Sequence, residues 1–120
     1  MVFQFLQLLS PARGDRILEV GTDSGWTAAL LSWWCGSDGI TSMEVDPQVA
    51  AQAAANLKTT AFTPHLITGD GLAGCPERAP YDRVHVTADV SRIPRAWIEQ
   101  TRPGAMIVLP WHPGGVTSCD

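Results

Sequence analysis

Hydrophobic positions along the chain follow two regimes, helix-period runs and short, nearly unbroken apolar stretches. Val2, Phe5, Leu6 and Leu9 recur at i, i+3, i+4 and i+7, one face of a helix that Ser10-Pro11 and Arg13-Gly14 bring to an end. Arg16 to Val20 then predicts a short buried strand running straight into Gly21. Thr27, Leu30, Leu31 and Trp34 predict a helix, with Ser24 as its N-cap and Gly36 at its end. Ile40 to Glu44 predicts a second strand. Asp46-Pro47, a capping acid before proline at the first helical position, opens an Ala-rich helix to about Lys58. His65 to Thr68 predicts a third strand, Arg83 to Thr87 a fourth, and Ile93 to Thr101 a further helix. Arg102-Pro103-Gly104 reads as a turn into a fifth strand, Ala105 to Leu109.

Strands alternating with helices in this way imply a parallel sheet covered on both faces. Loops at the carboxyl ends of such strands are where ligands bind, beside the point where strand order reverses. Gly21, Glu44, Asp70 and Thr87 all fall at strand ends. No repeat, low-complexity tract or linker interrupts the pattern, and 120 residues suit one domain, 1–120.

Composition narrows the classes. A 45% hydrophobic and 17% charged chain can build a packed core. A net charge of −4 with no basic run argues against a nucleic-acid or anionic-membrane partner. No apolar run approaches the ~18 residues of a membrane span. Met1 to Leu9 has neither the cationic flank nor the cleavage site of a secretory signal. Cys35, Cys75 and Cys119 are scattered and odd in number, which suits small apolar packing in a reducing cytoplasm better than disulfides or zinc. His65, His85 and His112 share no metal spacing and read as structural, and the five tryptophans read mainly as core, with Trp26 placed to touch a ligand.

Glu19-Val20-Gly21-Thr22-Asp23-Ser24-Gly25 is a strand, a glycine turn and a helix start. Glycine lets the backbone approach a ligand closely, and free N–H groups at a helix start favour an anionic group. A dinucleotide fingerprint requires G-x-G-x-x-G. Here Asp23 stands between the glycines, where its charge would repel a pyrophosphate, so NAD is disfavoured. Glu44 lies 25 residues after Glu19, where an acid can accept both hydroxyls of a ribose. Asp70, within Gly69-Asp70-Gly71, can accept from an exocyclic amine. Ordinary turns use the same residue types, so each feature alone has a bland alternative. Acids or glycine turns at three successive strand ends favour a site.

Arg16 to Thr22, followed by Ser24-Gly25-Trp26, resembles the first motif of class I S-adenosylmethionine-dependent methyltransferases, and Ser42 to Pro47 resembles their ribose-binding motif. Thr68 to Gly71, Ala79 to Val84 and Arg102-Pro103-Gly104 resemble, more narrowly, the protein-L-isoaspartate O-methyltransferase family. Gln100 to Gly104 with Leu109-Pro110-Trp111 is similar to its actinobacterial members. The resemblance implies a three-layer, Rossmann-like α/β sandwich with a mostly parallel sheet in the order 3-2-1-4-5. It implies S-adenosylmethionine as cofactor, bound by Glu19, Gly21, Thr22, Gly25, Glu44, Val45, Gly69 and Asp70. Gly21, Thr22 and Gly25 would wrap the methionine part, Glu44 the ribose, and Val45, Gly69 and Asp70 the adenine. The acceptor would be an isoaspartyl or aspartyl carboxylate of a protein or peptide, an ionised nucleophile at pH 7 that needs no general base.

The sequence departs from the family in three places. Asp23 replaces the usual middle glycine; aspartate tolerates the left-handed conformation, so the turn is expected to survive. The family's Thr-Ile-Ser-like loop precedes the helix that starts here near Val2, so no catalytic residue is carried over. The closing antiparallel strands beyond the fifth are expected to be missing, leaving that strand as an edge. The chain therefore reads as a methyltransferase core truncated at both ends, with a completing partner chain as one consequence. The alternatives are an inactive or partner-dependent Rossmann-like module, and a methyltransferase acting on a small molecule.

Overall fold

The computed structural model describes residues 9–88 and 90–110. The predicted helix through Val2, Phe5 and Leu6 lies outside them except for Leu9, as do Trp111, His112 and Cys119. Five strands form one sheet: β1 (Ile17–Val20), β2 (Ile40–Glu44), β3 (His65–Thr68), β4 (Tyr81–Val86) and β5 (Thr101–Val108). Their order is β3-β2-β1-β4-β5, and every pairing is parallel. Helices α1 (Trp26–Cys35), α2 (Pro47–Leu57) and α3 (Arg95–Glu99) lie in three of the four crossovers, and the one from β3 to β4 holds only the 3-10 turns Gly71–Ala73 and Pro76–Arg78. The predicted sandwich and sheet order are the observed ones.

β1 is central, and all four of its residues are buried. Because successive side chains point to opposite faces, its alternate residues join different cores. Leu18 and Val20 pack with Met43, Cys75, Tyr81, Val84, Val86 and Trp97 on one side. Ile17 packs with Leu9, Leu31, Cys35 and Ile40 on the other. Trp97 is wholly buried and its indole N–H donates to the Gly71 carbonyl at 2.8 Å, so its polar edge is satisfied inside the first core. The α2 start forms as its sequence dictates. Asp46 accepts from the Gln48 and Val49 N–H groups at 2.9 and 3.4 Å, and Pro47 needs no amide partner at the first turn.

Several local expectations are corrected. α1 is capped by Gly25, at φ 90°, with no side-chain cap; Ser24 sits one residue earlier, its hydroxyl 3.4 Å from the Trp26 N–H. β4 begins at Tyr81 rather than Arg83, and α3 spans only Arg95–Glu99. Arg102-Pro103-Gly104 does not precede β5 but lies within it. Register passes from Tyr81↔Thr101 to Arg83↔Met106, so Asp82 alone faces residues 102–105, and Gly104 takes φ 85° at this bulge. Trp26, Trp33 and Trp34 are exposed by 61%, 65% and 38%, against the core role expected of Trp33 and Trp34. A mainly apolar helix reads as buried on all sides, but α1 buries only the face of Ala28, Ala29, Leu31, Ser32 and Cys35. Among the described residues no helix is long and apolar enough to cross a membrane.

Candidate functional site

The carboxyl ends of β1, β2, β3 and β4 are laced together by backbone and side-chain hydrogen bonds. The Gly21 N–H donates to the Met43 carbonyl at 2.8 Å, and the Gly69 N–H to the Glu44 carbonyl at 2.9 Å. The Thr87 hydroxyl donates to the Gly21 carbonyl at 2.8 Å. The turn from Gly21 to Gly25 is left-handed at alternate residues, with φ 98° at Gly21, 52° at Asp23 and 90° at Gly25. A β-carbon on Gly21 would collide with the Thr87 hydroxyl. Asp23 adopts the conformation expected of it, and the turn closes with the Gly25 N–H on the Thr22 carbonyl at 3.0 Å.

Glu44 is the hub. Its Oε1 accepts from the Asp23 N–H at 3.1 Å and its Oε2 from the Asp46 N–H at 3.2 Å. One half-buried carboxylate thus pins the glycine turn to the β2–α2 turn, and each oxygen retains lone-pair capacity toward solvent. Val45 beside it is 70% exposed. Asp70 caps the short turn Gly71–Ala73 by accepting from the Leu72 N–H at 2.9 Å, and it too is exposed. Glycine has different causes at 69 and 71. At 71 a β-carbon would lie 2.6 Å from Val20 Cγ1, whereas at 69 the nearest atom, Met43 Cε, is 3.8 Å away. The protein's own packing requires glycine at 71 and leaves room at 69.

Of the predicted residues, Gly21, Thr22, Gly25, Glu44, Val45, Gly69 and Asp70 come together at this end of the sheet. Glu19 does not reach its surface. It is wholly buried beneath the turn, with Oε1 accepting from the Ser42 hydroxyl at 2.6 Å. Thr22 is also buried, its hydroxyl 2.7 Å from that of Ser42. Thr87 was marked only by its place at a strand end, and Ser42 and His85 were not singled out as site residues from the sequence. The available signal was polar residues inside strands that otherwise read as buried. Among the described residues no group of three or more His, Cys, Asp or Glu could hold a metal ion.

The clearly shifted titrating groups lie away from this end. Burial pushes the Cys35 thiol up to about 11 and raises the Tyr81 phenol, whose hydroxyl donates to the Cys75 carbonyl at 2.6 Å. A hydrogen bond from its own backbone N–H, with a second from the Cys75 thiol, lowers the exposed Glu77.

The family model described as protein-L-isoaspartate(D-aspartate) O-methyltransferase matches residues 1–117. The chain is 39% identical over 111 residues to the protein-L-isoaspartate O-methyltransferase of Pyrococcus abyssi, covering 92% of this chain and 51% of that protein. It is 42% identical over 106 residues to that of Opitutus terrae, covering 88% and 45%. A solved protein-L-isoaspartate O-methyltransferase superposes with a TM-score of 0.85 at 30% identity, over 91% of this chain and 35% of that one. A SAM-dependent methyltransferase from Thiobacillus denitrificans, solved with S-adenosyl-L-homocysteine, shares the fold, with a TM-score of 0.72 at 19% identity over 90% of this chain and 46% of that one. The chain spans about half the length of the curated relatives it matches.

Proposed function

The chain belongs to the protein-L-isoaspartate(D-aspartate) O-methyltransferase family, and we propose from that premise that residues 1–120 form one S-adenosylmethionine-binding domain serving methyl transfer to an isoaspartyl or aspartyl carboxylate in a protein or peptide. The observation that carries this is Glu44, whose carboxylate stands at the carboxyl end of β2 with lone pairs left for two hydroxyls. The residues present fit the group. Val45 offers an uncovered apolar surface for a flat ring, and the open space at Gly69 allows close approach. Asp70 supplies an acceptor at the neighbouring strand end, and Gly21, Thr22 and Gly25 present backbone at the turn. Glu44, Asp23 and Asp70 make this end acidic, which favours a cationic ligand.

When bound, S-adenosylmethionine supplies a methyl group on a positively charged sulfur. The work of the chain is orientation. An acceptor carboxylate with a pKa near ~4 is already ionised at neutral pH, so no side chain need remove a proton. Alignment of two reactants in a site that excludes water is worth ~7–11 kcal/mol in favourable cases. A rigid turn, pinned at Glu44 and Thr87, meets that demand without a catalytic dyad.

The test is calorimetric titration with S-adenosylhomocysteine of the chain and of Glu44→Ala. The chain is expected to bind in the micromolar range, and the variant at least tenfold more weakly while remaining folded by circular dichroism. A folded chain that fails to bind, or a variant that binds as well as its parent, overturns the reading.

A further inference from the structure

One buried polar cluster lies outside the ligand-facing residues. On the sheet face covered by α1, Ser42, Glu19 and His85 sit side by side, in register across β2, β1 and β4. The row is closed by apolar residues, since Ser42 pairs with Leu66 on β3 and His85 with Val108 on β5. Ser42, Glu19 and His85 are 0%, 0% and 3% exposed. Burying a carboxylate in such a place is costly unless its oxygens are held. The Ser42 hydroxyl holds Oε1 at 2.6 Å, and His85 Nδ1 stands 3.6 Å from Oε2, within reach of an electrostatic contact but beyond a hydrogen bond. From Ser42 the contacts continue to the Thr22 hydroxyl at 2.7 Å, which is inside the glycine turn.

The geometry points to His85 as a positioning residue: by fixing the buried Glu19 carboxylate it orients Ser42 and Thr22, and so sets the shape of the Gly21–Gly25 turn from beneath. This assigns Glu19 an indirect part in ligand binding, and it rests on the cofactor site proposed above. The physical logic is that one carboxylate serves two neighbours. With the imidazole gone, Glu19 is free to rotate away from Ser42, and the Ser42 hydroxyl, released from the carboxylate, no longer holds the Thr22 hydroxyl in one orientation.

His85→Leu removes the imidazole, Ser42→Ala cuts the relay at its middle, and His85→Gln keeps a polar N–H-bearing side chain near the carboxylate. Two readouts are taken on each: S-adenosylhomocysteine affinity by calorimetry, and amide hydrogen exchange at Gly25, whose N–H closes the turn, with no ligand present. We expect His85→Leu and Ser42→Ala each to weaken binding about tenfold and to speed Gly25 exchange. The double variant should be no worse than the more severe single one, because both cut one chain of contacts. His85→Gln should recover most of the affinity. A merely structural histidine would lower the melting temperature without this pattern. Wild-type exchange at Gly25 in Ser42→Ala overturns the inference, as do multiplying effects in the double variant or a failed rescue. If the parent chain does not bind S-adenosylhomocysteine, the cofactor reading falls, and the exchange arm alone decides the positioning role. If His85→Leu does not fold, His85→Ala takes its place in both readouts, and wild-type affinity and exchange in that variant overturn the inference.

Discussion

The two ends of the sheet use charge in opposite ways. At the amino end, charged groups are consumed by the protein itself. Arg16 donates twice to the Arg78 carbonyl, and Arg78 in turn donates to the Thr41 hydroxyl at 2.7 Å and the Asp38 carbonyl at 2.6 Å. Asp82 accepts the Arg16 N–H at 2.8 Å on one oxygen and meets the Arg102 guanidinium with the other. At the carboxyl end, Glu44 and Asp70 hold backbone N–H groups and still face solvent. Closed networks at one end give stability, and half-open ones at the other leave valence for a ligand.

Breaking the carboxyl end should show as lost affinity together with lost stability, and the effect should be largest at Gly21. Gly21→Ala places a β-carbon against the Thr87 hydroxyl at a left-handed position, so a loss of about 2–3 kcal/mol in denaturant unfolding is expected, with no measurable S-adenosylhomocysteine binding. Breaking the amino end should separate the two quantities. Asp82→Ala strands the Arg16 N–H and should cost about 2 kcal/mol of stability while ligand affinity in calorimetry stays within about twofold. Equal losses of affinity in the two variants would dissolve the distinction between the ends.

The smallest expected effect concerns pH, and it comes from the amino end. Burial pushes the Cys35 thiol from its ordinary value of 9.0 in the unfolded chain up to about 11 in the folded one. Between these values the unfolded chain binds fewer protons than the folded one, so stability falls as pH rises from 9 to 11. The raised Tyr81 phenol acts in the same direction at higher pH. Cys35→Ala should remove the part of the decline that begins near pH 9 in urea melts, with binding at neutral pH unchanged.

Much of this was legible in the sequence because it is local. Ile40–Glu44 and the Asp46-Pro47 start carry their own signals of apolar run and cap, and both formed where expected. The strand ends followed, which is why Gly21, Glu44 and Asp70 could be placed. What failed depended on partners distant in sequence. Trp33 and Trp34 lie on a helix whose outer face receives no cover among the described residues, a matter of layering that periodicity does not show. The Arg102–Ala105 bulge reflects Asp82, opposite on β4 and already bound to Arg16. The Ser42–Glu19–His85 row exists only once strand register is fixed, since 23 residues separate the first two. The sequence accordingly showed Glu19 as a strand-end acid and not that its carboxylate is buried against Ser42.

The left-handed backbone at Asp23 has a consequence for how this protein can change over generations. Glycine, asparagine and aspartate are the residues that occupy such a position readily. In the genetic code, aspartate is one nucleotide from glycine and one from asparagine, and both replacements are uncharged. The negative charge in this turn can therefore be removed or restored by single mutations that keep the fold. On the function proposed above, position 23 is a place where inheritance would tune affinity in small, reversible steps.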